Sequence, residues 1–233
     1  MGLFSGIGNF ISFVDSFISG AISSIGSAID GFARNVFRAI AKLSMSGLDI
    51  VSTISIAAKI VHDIVDYLGI DSEEKPEVLG AKAEQKNEKN LEDFDNAVEA
   101  YIMYLKREVE LDRERFDKMK SEEKIGCKVI GMALETKAVE EKIGGIDISP
   151  ECLTTLTKIQ TAGIKIDAKE LVRIVQILKA QGVTNLNDVV ELLDGKGSSN
   201  RLKTGKALVV GLENNAITKI FDLQDAVRKY EED

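Results

Sequence analysis

The chain has 233 residues, of which 44% are hydrophobic, so it is long enough and apolar enough to bury a core. Its two prolines and complete lack of tryptophan, with many Ala, Ile, Lys and Glu residues, predict a mainly helical protein. The net charge of −8 argues against nucleic acid as a partner, because phosphate binding needs clustered Lys and Arg side chains.

Residues 2–43 carry the clearest periodic pattern of the chain. Apolar residues recur there at steps of three or four, the period of a helix, and Asp15 and Asp30 are the only charged residues before Arg34. A helix with so little charge is expected to bury itself in a membrane or in a protein assembly. The predicted face comprises Phe4, Ile7, Phe10, Ile11, Val14, Phe17, Ile18, Ile22, Ile25, Ile29, Phe32 and Val36.

Two further patterns overlap this stretch. A ridge of small residues recurs every four positions and would let two helix backbones approach closely; it consists of Ser12, Ser16, Gly20, Ser24 and Ala28. Three basic residues at the same spacing are predicted to face lipid headgroups, namely Arg34, Arg38 and Lys42. Serines interrupt the apolar run too often for a membrane-spanning helix, so an interfacial or oligomeric role is expected.

The predicted fold is all-α, with an N-terminal apolar hairpin, a long charged central helix and a small C-terminal helical bundle. The hairpin would pair residues 2–43 with a second apolar helix over 46–69 and turn near Ser44–Gly47. The corresponding domains are an apolar glycine- and serine-rich segment at 1–70, a charged helical connector at 71–124 and a helical domain at 125–233. The connector holds most of the acidic excess, with seventeen acidic and eleven basic residues.

Helix boundaries are clearest after residue 125. Ser149 followed by Pro150 predicts a helix start, and Asp167 with Glu170 has the spacing of a capping box. Helix ends are expected just before three glycines, Gly163, Gly182 and Gly195.

Nothing in the sequence predicts a catalytic centre. His62 is the only histidine and is read as a partly exposed helix residue, so a site with several histidines is impossible within one chain. Cys127 and Cys152 match no metal or redox spacing and are expected to be buried apolar residues. The Gly205-Lys206 pair lacks the glycine that a phosphate-binding loop needs five positions earlier. We therefore expect no enzyme activity, no cofactor and no metal.

The opening residues Gly2-Leu3-Phe4-Ser5-Gly6-Ile7-Gly8-Asn9-Phe10-Ile11 resemble viral fusion peptides. They also resemble the glycine-rich amphipathic N-termini of bacteriophage ejection, internal virion and tail proteins. The resemblance covers about the first forty residues and implies a component of a virion or of an injection machine.

Three functions stay open from the sequence. The first is a membrane-interacting or self-assembling structural protein, such as a phage virion component, with lipid, copies of itself or other particle or secretion-apparatus proteins as partners. The second is a pore-forming toxin or delivered effector. The third is a soluble helical bundle whose N-terminal helices form its core. We expect a homo-oligomer without a signal peptide, cytoplasmic before assembly and then associated with a virion or membrane.

Overall fold

The computed structural model describes residues 3–21, 25–44, 47–70, 74–85, 88–196, 200–212 and 216–230, without the side chains of 3–6, 44 and 217. Within these ranges the chain forms twelve α-helices and no strand, and 76% of the structure is helical. The prediction of an all-α fold is confirmed.

The first half of the chain contains six α-helices and one short 3₁₀ helix. These are α1 (Leu3–Gly20), α2 (Ser27–Ser44), α3 (Ile50–Tyr67), α4 (Pro76–Glu84), the 3₁₀ helix (Leu91–Phe94), α5 (Val98–Arg107) and α6 (Arg113–Lys118). The second half contains α7 (Ser121–Ile143), α8 (Pro150–Thr161), α9 (Ala168–Ala180), α10 (Asn187–Leu193), α11 (Arg201–Gly211) and α12 (Ala216–Arg228).

Helix α7 is the centre of the fold. Thirteen of its 23 residues are buried, and they lie on all sides of the helix between Ile125 and Val139. Helices α1 to α5 pack around it. A helix that is buried on all sides needs an uncharged middle, and from Ile125 to Thr136 the only charged residues are Lys128 and Glu135.

Glycines let α4 lie directly on the backbone of α7. A Cβ atom at Gly80 would overlap the carbonyl oxygen of Cys127, and one at Gly131 would overlap the carbonyl oxygen of Pro76. The absence of both side chains brings the two helices into backbone contact, which fixes α4 along the middle of α7.

The C-terminal helices share their core with the N-terminal ones. Helix α3 packs on α7, α8 and α9, while α2 packs on α8 as well as on α7. The buried apolar residues of all three predicted segments belong to one contiguous cluster, from Val14 to Val227. A parallel bridge between Asp147 and Asn185 joins the loops that precede α8 and α10.

The prediction of one long helix over residues 77–124 is wrong. Asn90 and Asp93 cap the 3₁₀ helix reciprocally, and the next turn holds Asp95 and Asn96 at φ values of 52° and 61°. The side chain of Asp112 then starts α6 by accepting a hydrogen bond from the backbone N–H of Arg115. Short polar side chains compete with helical hydrogen bonds in this way, and here they divide the segment.

The N-terminal stretch also departs from the prediction of one continuous helix. It forms α1 and α2, which are separated around Gly26, whose φ of +77° an L-residue rarely adopts. Because α1 packs against α2, the first helical pair forms within residues 3–44. Helix α2 also packs on α3, as the predicted hairpin requires.

The predicted boundaries in the C-terminal part are confirmed. Ser149 accepts a hydrogen bond from the N–H of Cys152 at the start of α8, and Asp167 and Glu170 form a capping box at the start of α9. Helices α8, α9 and α10 each end two residues before a glycine, namely Gly163, Gly182 and Gly195.

Candidate assembly surface

The predicted apolar face of the N-terminal stretch lies inside the protein. Five of its members are at most 1% exposed, namely Val14, Ile18, Ile25, Ile29 and Val36. Five others are half-buried, namely Ile7, Phe10, Ile11, Phe17 and Phe32. Ile22 and the side chain of Phe4 lie outside the described residues. This face therefore supplies core contacts to the chain itself.

The opposite face of α1 is exposed and consists mostly of small side chains. Gly8, Ser12, Ser16 and Gly20 lie one turn apart along it, and the ring of Phe13 beside them is 39% exposed. We call these five residues the outer face of α1. The predicted ridge thus lies at the protein surface at Ser12, Ser16 and Gly20 in α1 and at Ala28 in α2, while Ser24 is outside the described residues.

The outer face of α1 carries no charge at any of its described exposed positions. Asp15 is the only charged residue of α1, and it points toward α2. Its carboxylate lies 2.9 Å from the guanidinium of Arg38 and 3.3 Å from that of Arg34.

The basic residues predicted to face lipid headgroups have different surroundings. Arg34 and Arg38 bind Asp15, and Arg34 also lies 3.8 Å from the buried Asp30, whereas Lys42 is exposed. Burial acts to raise the pKa of Asp15, but the hydrogen bonds and charges of both arginines outweigh it and lower that pKa. Burial raises the pKa of Asp30 against the charge of Arg34. The two arginines therefore fasten α2 to α1.

The glycines of the outer face are not explained by packing within the chain. Among the described residues, no atom would lie within 4 Å of a Cβ atom at Gly8 or at Gly20, and the same holds for Gly31 in α2. Four helical glycines elsewhere, Gly80, Gly126, Gly131 and Gly211, accommodate a close neighbour, as Gly126 accommodates the ring of Phe17, whereas Gly205 in α11 is open like Gly8. A glycine inside a helix costs about 0.5–1 kcal/mol relative to alanine, so an open site suggests a contact outside the chain.

A buried pair of ionisable side chains connects α3 to α7. Nδ1 of His62 lies 2.8 Å from Oε1 of Glu135, which is 2% exposed. The hydrogen bond to Glu135 raises the pKa of His62, and burial raises the pKa of Glu135. Among the described residues, Oε2 of Glu135 has no hydrogen-bond partner.

Sequence reasoning missed this pair because its members are 73 residues apart. His62 is half-buried, which agrees with the prediction, but its partner was not identified. A signal was present, because Glu135 is the one acidic residue between Ile125 and Thr136 in α7. The pair ties two core helices together.

The two cysteines are free and buried, as predicted. Burial raises the pKa of each thiol to about 12, so both are neutral thiols at physiological pH. They contribute apolar packing to α7 and α8.

The fold defines an all-α protein built around one buried helix. Comparison with protein-family models, curated proteins and solved structures finds no match to this chain. Across the described ranges, no helix combines the length and the apolar character that crossing a bilayer requires.

Proposed function

We propose that this chain is a non-enzymatic structural protein that associates with copies of itself through the outer face of α1. The supporting observation is the space left open by the described residues at Gly8 and Gly20, in a face whose own five residues carry no charge. Glycine and serine at four-residue spacing let helix backbones approach closely, as α4 and α7 do within this chain. A second α1 helix offers the same small, uncharged surface, so two copies are self-complementary there.

The arrangement gives the apolar and small-residue faces of α1 separate roles. The apolar face holds α1 in the bundle, and the small-residue face stays available for a neighbour. A virion or injection machine, which the resemblance of residues 2–11 implies, is an ordered array of copies in which such a contact would repeat.

The test compares a charge placed on the outer face of α1 with the same charge placed elsewhere. Ser16→Arg is expected to weaken self-association at least about tenfold, because a contact between close helices would bury an unpaired guanidinium. Ala100→Arg, at an exposed position of α5, is the matched control and should associate like the unmodified protein. Sedimentation velocity over a range of concentrations measures the oligomeric mass.

A bulky apolar residue gives a second test. Gly20→Leu should weaken association by preventing close approach, while leaving affinity for lipid similar or higher. The proposal is wrong if the unmodified chain is monomeric at all concentrations, or if Ser16→Arg and Gly20→Leu both associate normally.

Membrane binding is the second candidate function, and one observation favours it. Among the described helices, α1 packs mainly on α2 and α7, and a glycine with positive φ lies between it and α2. Release of α1 from the bundle would expose its buried apolar face to a lipid surface, as in a pore-forming protein that stores its apolar helices in a bundle.

Asp15→Asn should then increase flotation with anionic vesicles, because it removes the ion pairs that fasten α1 to α2. Equal flotation of both proteins would contradict this candidate.

A further inference from the structure

Helix α11 presents several apolar side chains to solvent. Leu202 is 90% exposed, and Val209 and Val210 are 42% and 43% exposed. These are three of the seven exposed large apolar side chains in the described part of the protein, although α11 has only eleven residues. Single exposed apolar residues are ordinary on a protein surface, whereas a group of them on one short helix indicates a contact surface.

The exposed residues share one side of the helix. Leu202, Gly205, Lys206, Val209 and Val210 follow each other at the spacing that places residues on one helix face. We call these five residues the outer face of α11. The opposite side packs on α9, α10 and α12 through buried residues, namely Thr204, Ala207, Leu208 and Gly211. Helix α11 therefore has two faces with apolar residues, and the described fold covers one of them.

The outer face of α11 is surrounded by positive charge. The chain has a net charge of −8, yet its residues 195–212 include four basic residues and no acidic one. Arg201, Lys203 and Lys206 are exposed on α11 itself. Nζ of Lys203 donates a hydrogen bond of 3.0 Å to the carbonyl oxygen of Gln181, a neutral partner that leaves the charge in place.

Two carboxylates near the start of α11 have partners there. Asp188 accepts a hydrogen bond of 2.9 Å from the side-chain amide of Asn200, and Asp194 lies 3.2 Å from Nζ of Lys196. Lys196 is therefore paired with a carboxylate. The positive charge that α11 offers to a partner is that of Arg201, Lys203 and Lys206.

We propose that the outer face of α11 docks on an anionic lipid surface, with the helix lying parallel to the bilayer. Leu202 and Val209 would enter the boundary between headgroups and acyl chains, and the neighbouring cations would reach the lipid phosphates. Charge complementarity selects anionic lipid, because each Lys or Arg near such a surface strengthens binding about fivefold. A span across the bilayer needs about 20 residues, so the contact is interfacial.

The composition of the face favours lipid over a protein partner. Its exposed side chains are aliphatic or cationic, and the one neutral polar residue of α11, Thr204, is buried. Protein partners are recognised through directional hydrogen bonds and fitted side chains. A bilayer requires only apolar side chains with cations beside them. The proposal does not depend on self-association through α1, because a different helix carries it.

The first experiment is flotation of the full-length protein with vesicles of phosphatidylcholine alone and with vesicles that also contain about 30% phosphatidylserine. We expect at least tenfold stronger binding to the anionic vesicles, and we expect added salt to weaken it. Equal binding to both kinds of vesicle, or no binding to either, would overturn the proposal.

Two variants with matched controls locate the contact. Lys206→Glu should weaken binding to anionic vesicles at least tenfold, while Lys165→Glu, at an exposed position before α9, should leave it unchanged. Leu202→Gln should weaken binding at least threefold, because it removes the most exposed of the apolar side chains, whereas Val51→Gln on α3 should not. All four positions are exposed, so the melting temperatures should stay close to that of the unmodified protein.

Two further results would overturn the proposal and identify another contact. Flotation that responds to Asp15→Asn but not to Lys206→Glu or Leu202→Gln would place the lipid contact on a released α1. If the protein ignores both kinds of vesicle but cosediments with poly-L-glutamate, and Lys206→Glu abolishes that binding, the occupant of the face is an acidic polypeptide.

Discussion

Glu135 is an ionisable side chain in the interior of the protein. It is almost fully buried, and His62 supplies its hydrogen bond, while Lys106, Asp63 and Asp66 are the other charged groups that act on the pair. Removing the proton from His62 leaves a buried carboxylate beside a neutral ring. The pair is therefore a source of pH-dependent stability.

We predict that the free energy of unfolding falls as pH rises above about 6.5, the ordinary pKa of histidine. The pKa of His62 is raised in the folded state, so its contribution is complete below that pH and is lost as pH rises through the folded pKa. The raised pKa of Glu135 acts in the same direction, because folding favours its protonated form. Urea unfolding measured at a series of pH values tests this.

Glu135→Gln is the control for the pH dependence. The amide can still hydrogen-bond the neutral ring of His62, but it carries no charge in either state. The variant should lose the decline in stability above about pH 6.5. An identical decline in both proteins would show that other groups cause it.

The sequence predicted the role of individual residues where that role depends on neighbours close by in the chain. Ser149, Asp167 and the glycines after the C-terminal helices act within a few positions of themselves, so their roles were readable. The partners of Asp15 and His62 could not be predicted from the sequence. Arg34 lies 19 residues from Asp15 and Glu135 lies 73 residues from His62, and only the fold brings each pair together.

At the scale of the helices, glycine has two opposite uses in this chain. Gly131 lets α4 touch α7, whereas Gly31 in α2 meets open space. The sequence reports both as glycines within helical patterns and does not distinguish them, because the distinction depends on which helix is the neighbour.

We predict opposite effects for the same substitution at these two sites. Gly131→Ala should destabilise the fold by at least about 2 kcal/mol, because its Cβ would overlap backbone that cannot rotate away. Gly31→Ala should stabilise it by about 0.5–1 kcal/mol through helix propensity. Thermal melts of both variants check this, and a destabilised Gly31→Ala would show that α2 has a close neighbour at that position.

Asp15→Asn is expected to loosen α1 without unfolding the rest of the protein. It removes the partner of two partly exposed arginines, so the loss should be small, about 1 kcal/mol. Hydrogen exchange should speed up for the amides of α1 and stay unchanged in α9. If amide exchange sped up equally in α1 and α9, α1 would not open independently of the rest of the protein.

Helix formation itself was well predicted, and helix continuity was not. Apolar residues at steps of three or four correctly predicted the buried faces of α1, α2 and α3. Such helices are stabilised by burial of their apolar stripe. The period continues unchanged across Gly26 and therefore does not report the break there. In residues 77–124 the caps at Asn90 and Asp112, which divide the segment, were not predicted.

At the scale of the whole molecule, the three predicted segments share one core. The sequence indicated that the N-terminal apolar stripe must be covered, and the structure covers it with the chain's own helices. It did not indicate that α7 would be the centre, because a helix with a mostly apolar middle can serve any neighbour of suitable shape. The choice of partner depends on non-local packing and on glycines such as Gly80 and Gly126.

Deleting residues 1–43 is predicted to abolish the cooperative unfolding transition. The deletion removes many fully buried side chains, including Phe37 and Ile40, and each contributes roughly 1.5–3 kcal/mol by burial. The sum exceeds the whole stability of an ordinary domain, about 5–15 kcal/mol. Circular dichroism melts of the truncated and full chains test this, and a sharp melt for residues 44–233 would contradict it.

The position of α7 in the chain has a consequence for synthesis. Ribosomes complete α1 through α5 before residue 121 is added, so the apolar faces of the first three helices emerge before the helix that covers them. Exposed apolar surface on a nascent chain invites aggregation and chaperone binding. Ribosome-bound chains that stop before α7 should therefore be captured by chaperones and digested readily, and chains long enough to expose α7 outside the exit tunnel should become protected.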